Sequence, residues 1–263
     1  GVMAEAIIQR AIQTGTLNAT DICVVDPVAE RRLLFRESLG ILITSETVPD
    51  LREFPLIVVA VKPQQLTTVF NATRGKLSDD HTVLSIVAGA SIETLSRGFD
   101  HPNIIRVMPN TPSQIGLGVS VWTATREVSM AFRSEATGLL ETLGTQIYVE
   151  NENYLDMATA ISGSGPAYVF LFMECLLDSA VAMGIPRPIA SVLVTETVLG
   201  SATLAKFSQT ELSGLREMVT SKGGTTESAL RVLDDGNFRE TIDSAIKKAH
   251  EKAKALNTRS SEH

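Results

Sequence analysis

Four short apolar runs punctuate the first half of the chain. Ile22-Cys23-Val24-Val25 ends at Asp26, and Leu56-Ile57-Val58-Val59-Ala60-Val61 ends at Lys62-Pro63. Val83-Leu84-Ser85-Ile86-Val87 ends at Ala88-Gly89, and Ile104-Ile105-Arg106-Val107-Met108 ends at Pro109-Asn110. Continuous apolar runs closed by turn residues predict the strands of a parallel sheet covered on both faces. Helix-like stretches between them, such as Ala29 to Leu39, predict βαβ units. Val119 to Trp122 and Gln146 to Val149 are candidates for outer strands.

The pattern changes after about residue 150. Strand-like runs vanish, and Tyr154 to Ile161, Tyr168 to Met183, Pro188 to Lys206 and Phe238 to Leu256 all read as helix. Gly184-Ile185-Pro186 is a helix stop. The run Pro166 to Met183 is the most apolar, but Glu174 and Asp178 interrupt it one turn apart. It reads as a buried helix at a subunit interface rather than a membrane crossing. The expected organisation is α/β: a Rossmann-type parallel-sheet domain over 1–150, then an all-α domain over 151–263.

Composition narrows the function. A formal net charge of -7 argues against a nucleic-acid partner, because phosphate binding favours a basic surface. Only two cysteines occur, Cys23 and Cys175, which suits a reducing compartment, the cytoplasm. His81, His101, His250 and His263 are scattered without metal-ligand spacing, so no metal is expected. No signal-peptide pattern is expected at the start of the chain.

Two segments carry candidate chemistry. Val219-Thr220-Ser221-Lys222-Gly223-Gly224-Thr225-Thr226 places two glycines among hydroxyl side chains just ahead of a helix-like run, Glu227 to Leu233. Such a loop aims N–H groups and hydroxyls at one small anion, and a carboxylate fits. Its plainer reading is a helix cap with a flexible lead-in. The second segment is Gly1-Val2-Met3-Ala4, which opens a helix-like run to Ile12. Asp26 follows it by about 20 residues, the spacing of the acid that contacts a dinucleotide's ribose. Asp-Pro also opens turns after strands, and Arg31 and Arg32 would welcome a phosphate, so NAD and NADP both stay open.

Together these strings resemble pyrroline-5-carboxylate reductase along nearly the whole chain. The likeness rests on Ala60-Val61-Lys62-Pro63-Gln64, Ser85-Ile86-Val87-Ala88-Gly89, and Arg106-Val107-Met108-Pro109-Asn110-Thr111-Pro112, in that order. It continues through Ser162-Gly163-Ser164-Gly165-Pro166-Ala167-Tyr168 and the loop from Val219 on to Ala229-Leu230.

The resemblance implies NAD(P)H-dependent reduction of the cyclic imine 1-pyrroline-5-carboxylate to L-proline, and a helical domain that interlocks two subunits, with larger homo-oligomers open. It implies that Gly1, Val2 and Met3 line the cofactor pyrophosphate. Ala60, Val61, Lys62, Pro63, Val87, Ala88 and Gly89 would flank ribose and nicotinamide, with Asn110 in support. Ser221, Gly223, Gly224, Thr225 and Thr226 would hold the substrate, with Thr226 the catalytic candidate, and Glu152 matches a substrate-contacting position. A related imine or hydroxy-acid reductase and a nonenzymatic nucleotide-binding dimer remain alternatives.

Three departures from the family stand out. Gly1-Val2-Met3-Ala4 matches only the last part of its Gly-x-Gly-x-x-Ala loop, so the first strand is expected to be missing. Val2 replaces a polar residue, and Lys222 stands where proline is common.

Overall fold

Alternating strands and helices run through the first half of the chain, as the apolar runs predict. The computed structural model describes residues 1–260. Its first compact unit covers 1–164 together with the chain from Ala249 onward, and its second is Gly165–Lys248. The sequence boundary near residue 150 thus falls inside the first unit.

The first unit contains α1 (Val2–Gln13), β1 (Cys23–Val25), α2 (Ala29–Leu39), β2 (Ile43–Ser45), β3 (Leu56–Val59) and α3 (Leu66–Thr73). It continues with β4 (Thr82–Ser85), α4 (Ile92–Phe99), β5 (Ile104–Met108), β6 (Gly118–Ala124), α5 (Met130–Glu141), β7 (Gly144–Tyr148) and α6 (Asn153–Ala158). A π-helical turn, Thr159–Gly163, follows α6 directly.

The strands form two sheets. β1 and β2 pair in parallel. The larger sheet has the order β3-β4-β5-β6-β7, parallel except where β6 meets β5. Alternating side chains divide the core. Leu84 and Ile105 point to one face and pack with Ile7 and Ala11 of α1 and Leu139 and Leu140 of α5. Val83 and Ile104 point to the other face and pack with Leu66 of α3 and Leu95 and Phe99 of α4. The period of two along each strand makes this division. β5 is central and apolar on both faces, apart from Arg106.

β1 and β3 do not touch through hydrogen bonds. Between them lies an apolar slot of about 580 Å³. Cys23, Val24 and Val25 line one side, Leu56 to Val59 the other, and Ala4, Ile7, Ile8 and Ala11 of α1 close it. The Asp26 N–H bonds the Ser45 carbonyl, and the Thr82 N–H bonds the Pro55 carbonyl, so these residues face away from the slot. By alternation, Cys23 and Val25 on one strand and Leu56 and Val58 on the other direct their backbone groups into it. Val25 and Val58 are exposed. Burial pushes the Cys23 thiol above its usual range.

The second unit is helical. It holds α7 (Gly165–Ala182), α8 (Arg187–Phe207), α9 (Leu212–Met218), α10 (Thr225–Asp235) and the first part of α11 (Phe238–Ser260), whose later turns belong to the first unit. α7 and α8 pack on each other. Most of their apolar surface stays open: Phe170, Leu171, Phe172, Val192 and Leu193 are all exposed. The helix expected to be buried is therefore not buried within its own chain, because one neighbouring helix cannot cover an all-round apolar surface. By length and composition, Asn153–Ala182 and Arg187–Phe207 would also suffice to cross a membrane.

Candidate nucleotide and carboxylate sites

The carboxyl ends of β1, β3, β4 and β5 carry every cofactor candidate except the α1 start. Open α/β sheets bind ligands at these ends. Gly1 is the N-cap of α1 and has no side chain to cap it. The N–H groups of Val2 and Met3 in the first turn lie beyond the reach of the helix's own carbonyls, which suits a phosphate.

Asp26 follows β1 directly. One of its carboxylate oxygens accepts the Val28 N–H at 2.9 Å. The Asp26 carbonyl accepts from Arg32 at 2.6 Å, while Arg31 pairs with Glu5 of α1 at 3.2 Å. Both arginines that would welcome a phosphate are thus already held beside the acid.

Ala60 to Pro63 leave β3 and enter a 3-10 turn, where the Lys62 N–H bonds the Gln65 side chain at 3.3 Å. Val87 to Gly89 leave β4. The Val87 N–H bonds the Ser85 hydroxyl at 3.2 Å, and Gly89 adopts φ +74, a left-handed conformation. A Cβ on Gly89 would lie 2.7 Å from the Leu256 Cβ, so the turn needs glycine for space as well. Asn110 leaves β5 and bridges two elements. Its side-chain oxygen accepts the Val119 N–H at 2.8 Å, and its amide donates to the Ser162 carbonyl of the π-helical turn at 3.1 Å. The uncapped N–H groups at the α1 start, together with the loops that leave these strand ends, fit a dinucleotide.

Glu152 is the N-cap of α6. Its Oε1 accepts the Ile92 N–H at 2.8 Å and the Arg106 guanidinium at 2.5 Å. Arg106 also donates to Asp156 at 3.0 Å and is only 4% exposed. The strand pattern carried a signal for this cluster, since a charge inside an apolar strand needs a buried partner. Glu152 and Asp156, four residues apart, present both carboxylates from one helix face. Removing one member of such a buried set costs about 3–5 kcal/mol.

In the second unit, Ser221 to Thr226 form a tight turn into α10. Gly224 is the N-cap, without a side-chain cap. The Gly224 N–H bonds the Ser221 carbonyl at 2.9 Å. The Gly223 N–H bonds the Glu227 carboxylate at 2.8 Å. In this conformation two of the expected anion donors are therefore engaged. The Thr225 and Thr226 N–H groups, at the first two helical positions, are the ones that a ligand can use. A Cβ on Gly224 would overlap the Ser221 hydroxyl, so the turn keeps that hydroxyl beside the helix start. A cleft of about 430 Å³ lies on the adjoining surface, among Arg216, Thr220, Glu227, Arg231 and Arg239, and does not include the glycine pair.

Residues 152–256 match the family described as pyrroline-5-carboxylate reductase dimerisation. Residues 1–89 match NADP oxidoreductase coenzyme F420-dependent. Pyrroline-5-carboxylate reductase of a Synechocystis strain is 36% identical over 97% of this chain and 95% of that protein. The chain belongs to the pyrroline-5-carboxylate reductase family. The reductase of Pisum sativum is 34% identical over 97% of this chain and 93% of its own length. Among solved structures, the Coxiella burnetii pyrroline-5-carboxylate reductase superposes with a TM-score of 0.85 at 32% identity, covering 97% of this chain and 95% of that one. The Plasmodium falciparum pyrroline carboxylate reductase, solved with NADP bound, gives a TM-score of 0.87 at 28% identity, covering 98% and 95%. The dimerisation match begins at the start of α6 and takes in the whole second unit with short flanking parts of the first.

Proposed function

We propose that this chain reduces 1-pyrroline-5-carboxylate to L-proline with NADPH or NADH, the last step of proline biosynthesis. The observation that carries this reading is the full-length likeness to pyrroline-5-carboxylate reductases. The cofactor-suited strand ends and the glycine-paired turn of the second unit support it. The Plasmodium relative was solved with NADP bound. Here Gly1, Val2 and Met3 receive the pyrophosphate and Asp26 the ribose. Ala60 to Pro63, Val87 to Gly89 and Asn110 frame the rest of the dinucleotide.

When bound, the reduced nicotinamide would supply the hydride for the C=N carbon, and the ring nitrogen would enter as the protonated iminium, so that hydride and proton together give the amine. The chain's own task is to orient the substrate. The Thr225 and Thr226 N–H groups hold the carboxylate at the positive end of α10. Ser221 and the Thr226 hydroxyl hydrogen-bond the ring side of the substrate. Gly223 and Gly224 keep the turn narrow enough for that approach. Fixing both reactants removes translational and rotational freedom before the bond forms, worth several kcal/mol of the barrier.

The functional unit is a homodimer in which the open apolar faces of α7 and α8 are covered by a second copy. The enzyme works in the cytoplasm, where Cys23 and Cys175 remain free thiols.

Oxidation of NADPH and NADH by the purified chain, followed with and without 1-pyrroline-5-carboxylate, tests the activity. Imine-dependent oxidation yielding proline is expected; none with either cofactor rejects the reading. Thr226→Ala is expected to lower kcat/KM by about 10- to 100-fold at near-wild-type thermal stability.

A further inference from the structure

The second-unit turn and the strand ends leave a buried charged group, Arg106, unused. Arg106 sits in the middle of central β5, with Ile105 and Val107 beside it facing the opposite side of the sheet. It points toward the side covered by α3 and α4, the side of its strand neighbour Ile104. Its partners are Glu152 and Asp156.

Those partners reach the cofactor side of the sheet. The oxygen of Glu152 that accepts from Arg106 also accepts the Ile92 N–H. Ile92 is the first residue of α4, and Ser91, its N-cap, accepts the Thr94 N–H at 3.1 Å. Glu152 therefore satisfies a helix-start donor that the Ser91 hydroxyl does not reach. Immediately ahead of this start runs the Val87-Ala88-Gly89 turn. That turn is tied at its beginning by the Val87 N–H to Ser85, and Gly89 packs against Leu256. The Glu152 carboxylate is the tie at its far end. A single oxygen shared by Arg106 and Ile92 can satisfy both only in a narrow range of positions.

We infer that Arg106 is a positioning residue: it clamps Glu152 against the start of α4 and so fixes the Val87–Gly89 turn that seats the cofactor. This rests on the proposed cofactor role of that turn. Glu152, expected from the sequence to touch the substrate, is assigned instead to the cofactor side. The bidentate arrangement also makes lysine a poor substitute. A lysine ammonium keeps the charge but cannot present two parallel donors to Glu152 and Asp156.

The test uses the full chain with Arg106→Lys, Arg106→Met, Glu152→Gln and Glu152→Ala. NADPH affinity is read directly by fluorescence titration, and KM values for NADPH and for the imine are read by steady-state kinetics. Arg106→Lys and Glu152→Ala are expected to weaken NADPH binding by about tenfold, and to lower kcat, while the imine KM changes by less than about threefold. Glu152→Gln keeps an oxygen acceptor for Ile92 and is expected to fall between wild type and Glu152→Ala. Arg106→Met should match or exceed Arg106→Lys. If it does not fold, Arg106→Lys alone decides, because it retains the buried charge.

A rise in imine KM with unchanged NADPH affinity would overturn the inference and return Glu152 to the substrate. Lower melting temperatures with NADPH affinity and both KM values unchanged would overturn it too, leaving the cluster a purely structural ion pair. If wild type binds NADPH but does not turn over the imine, the proposed activity fails. The titrations still decide the clamp.

Discussion

At the scale of single residues, glycine and buried charge do most of the specifying. Gly89 is held by two independent constraints, a left-handed backbone and the Leu256 Cβ at 2.7 Å from where its own Cβ would lie. An alanine there incurs about 1–2 kcal/mol for the conformation and about 1–3 kcal/mol for the overlap. Gly89→Ala is expected to destabilise the chain by about 2–5 kcal/mol in urea unfolding, and to weaken NADPH binding in the fraction that folds. A stability within about 0.5 kcal/mol of wild type would show that the turn relaxes. Gly89 and Asn110 were visible in the sequence as strand-ending turn residues. Arg106 stood out as a charge inside an apolar strand, but its partners did not, because they lie well beyond β5 in the chain and only folding brings them together.

At the scale of elements, the slot between β1 and β3 separates two kinds of strand. β4 and β5 have hydrogen-bonded neighbours on both sides, whereas β1 and β3 each have one. The Leu56 and Val58 amides point into the slot and lack a ladder partner there. In native-state hydrogen exchange they are expected to exchange at least about a hundredfold faster than the Leu84 and Ile105 amides. Equal protection would mean that the slot edges are paired in solution. The strand periods also explain what the sequence reading found at this scale. Four apolar runs became β1, β3, β4 and β5, and the two weaker candidates became β6 and β7. β2 (Ile43–Ser45) went unread because three residues, two of them polar, carry too little periodicity. The short α9 escaped for a similar reason.

At the scale of the whole molecule, α7 and α8 leave a large aliphatic and aromatic surface uncovered. Soluble monomers rarely expose apolar patches of more than a few hundred Å². Replacing Phe170 and Leu193, which are 56% and 52% exposed in the single chain, by arginine is expected to shift sedimentation from that of the proposed dimer to that of a monomer or aggregate. Far-ultraviolet circular dichroism should stay largely helical. Unchanged sedimentation of the double variant would place the subunit interface elsewhere.

Local pattern alone determined much of this protein. Apolar runs with turn residues at their ends specify strands and their loops, and all-round apolar stretches specify helices that need covering, because both depend on residues close together in the chain. Motif order was enough to indicate the family. Tertiary structure decided the rest. It showed which strand edges stay unpaired, that the Gly223 N–H is already held by Glu227, and that Glu152 is engaged by Arg106 and the Ile92 N–H. Those outcomes depend on hydrogen bonds and charges meeting across folded space, and no periodicity along the chain encodes which partner arrives.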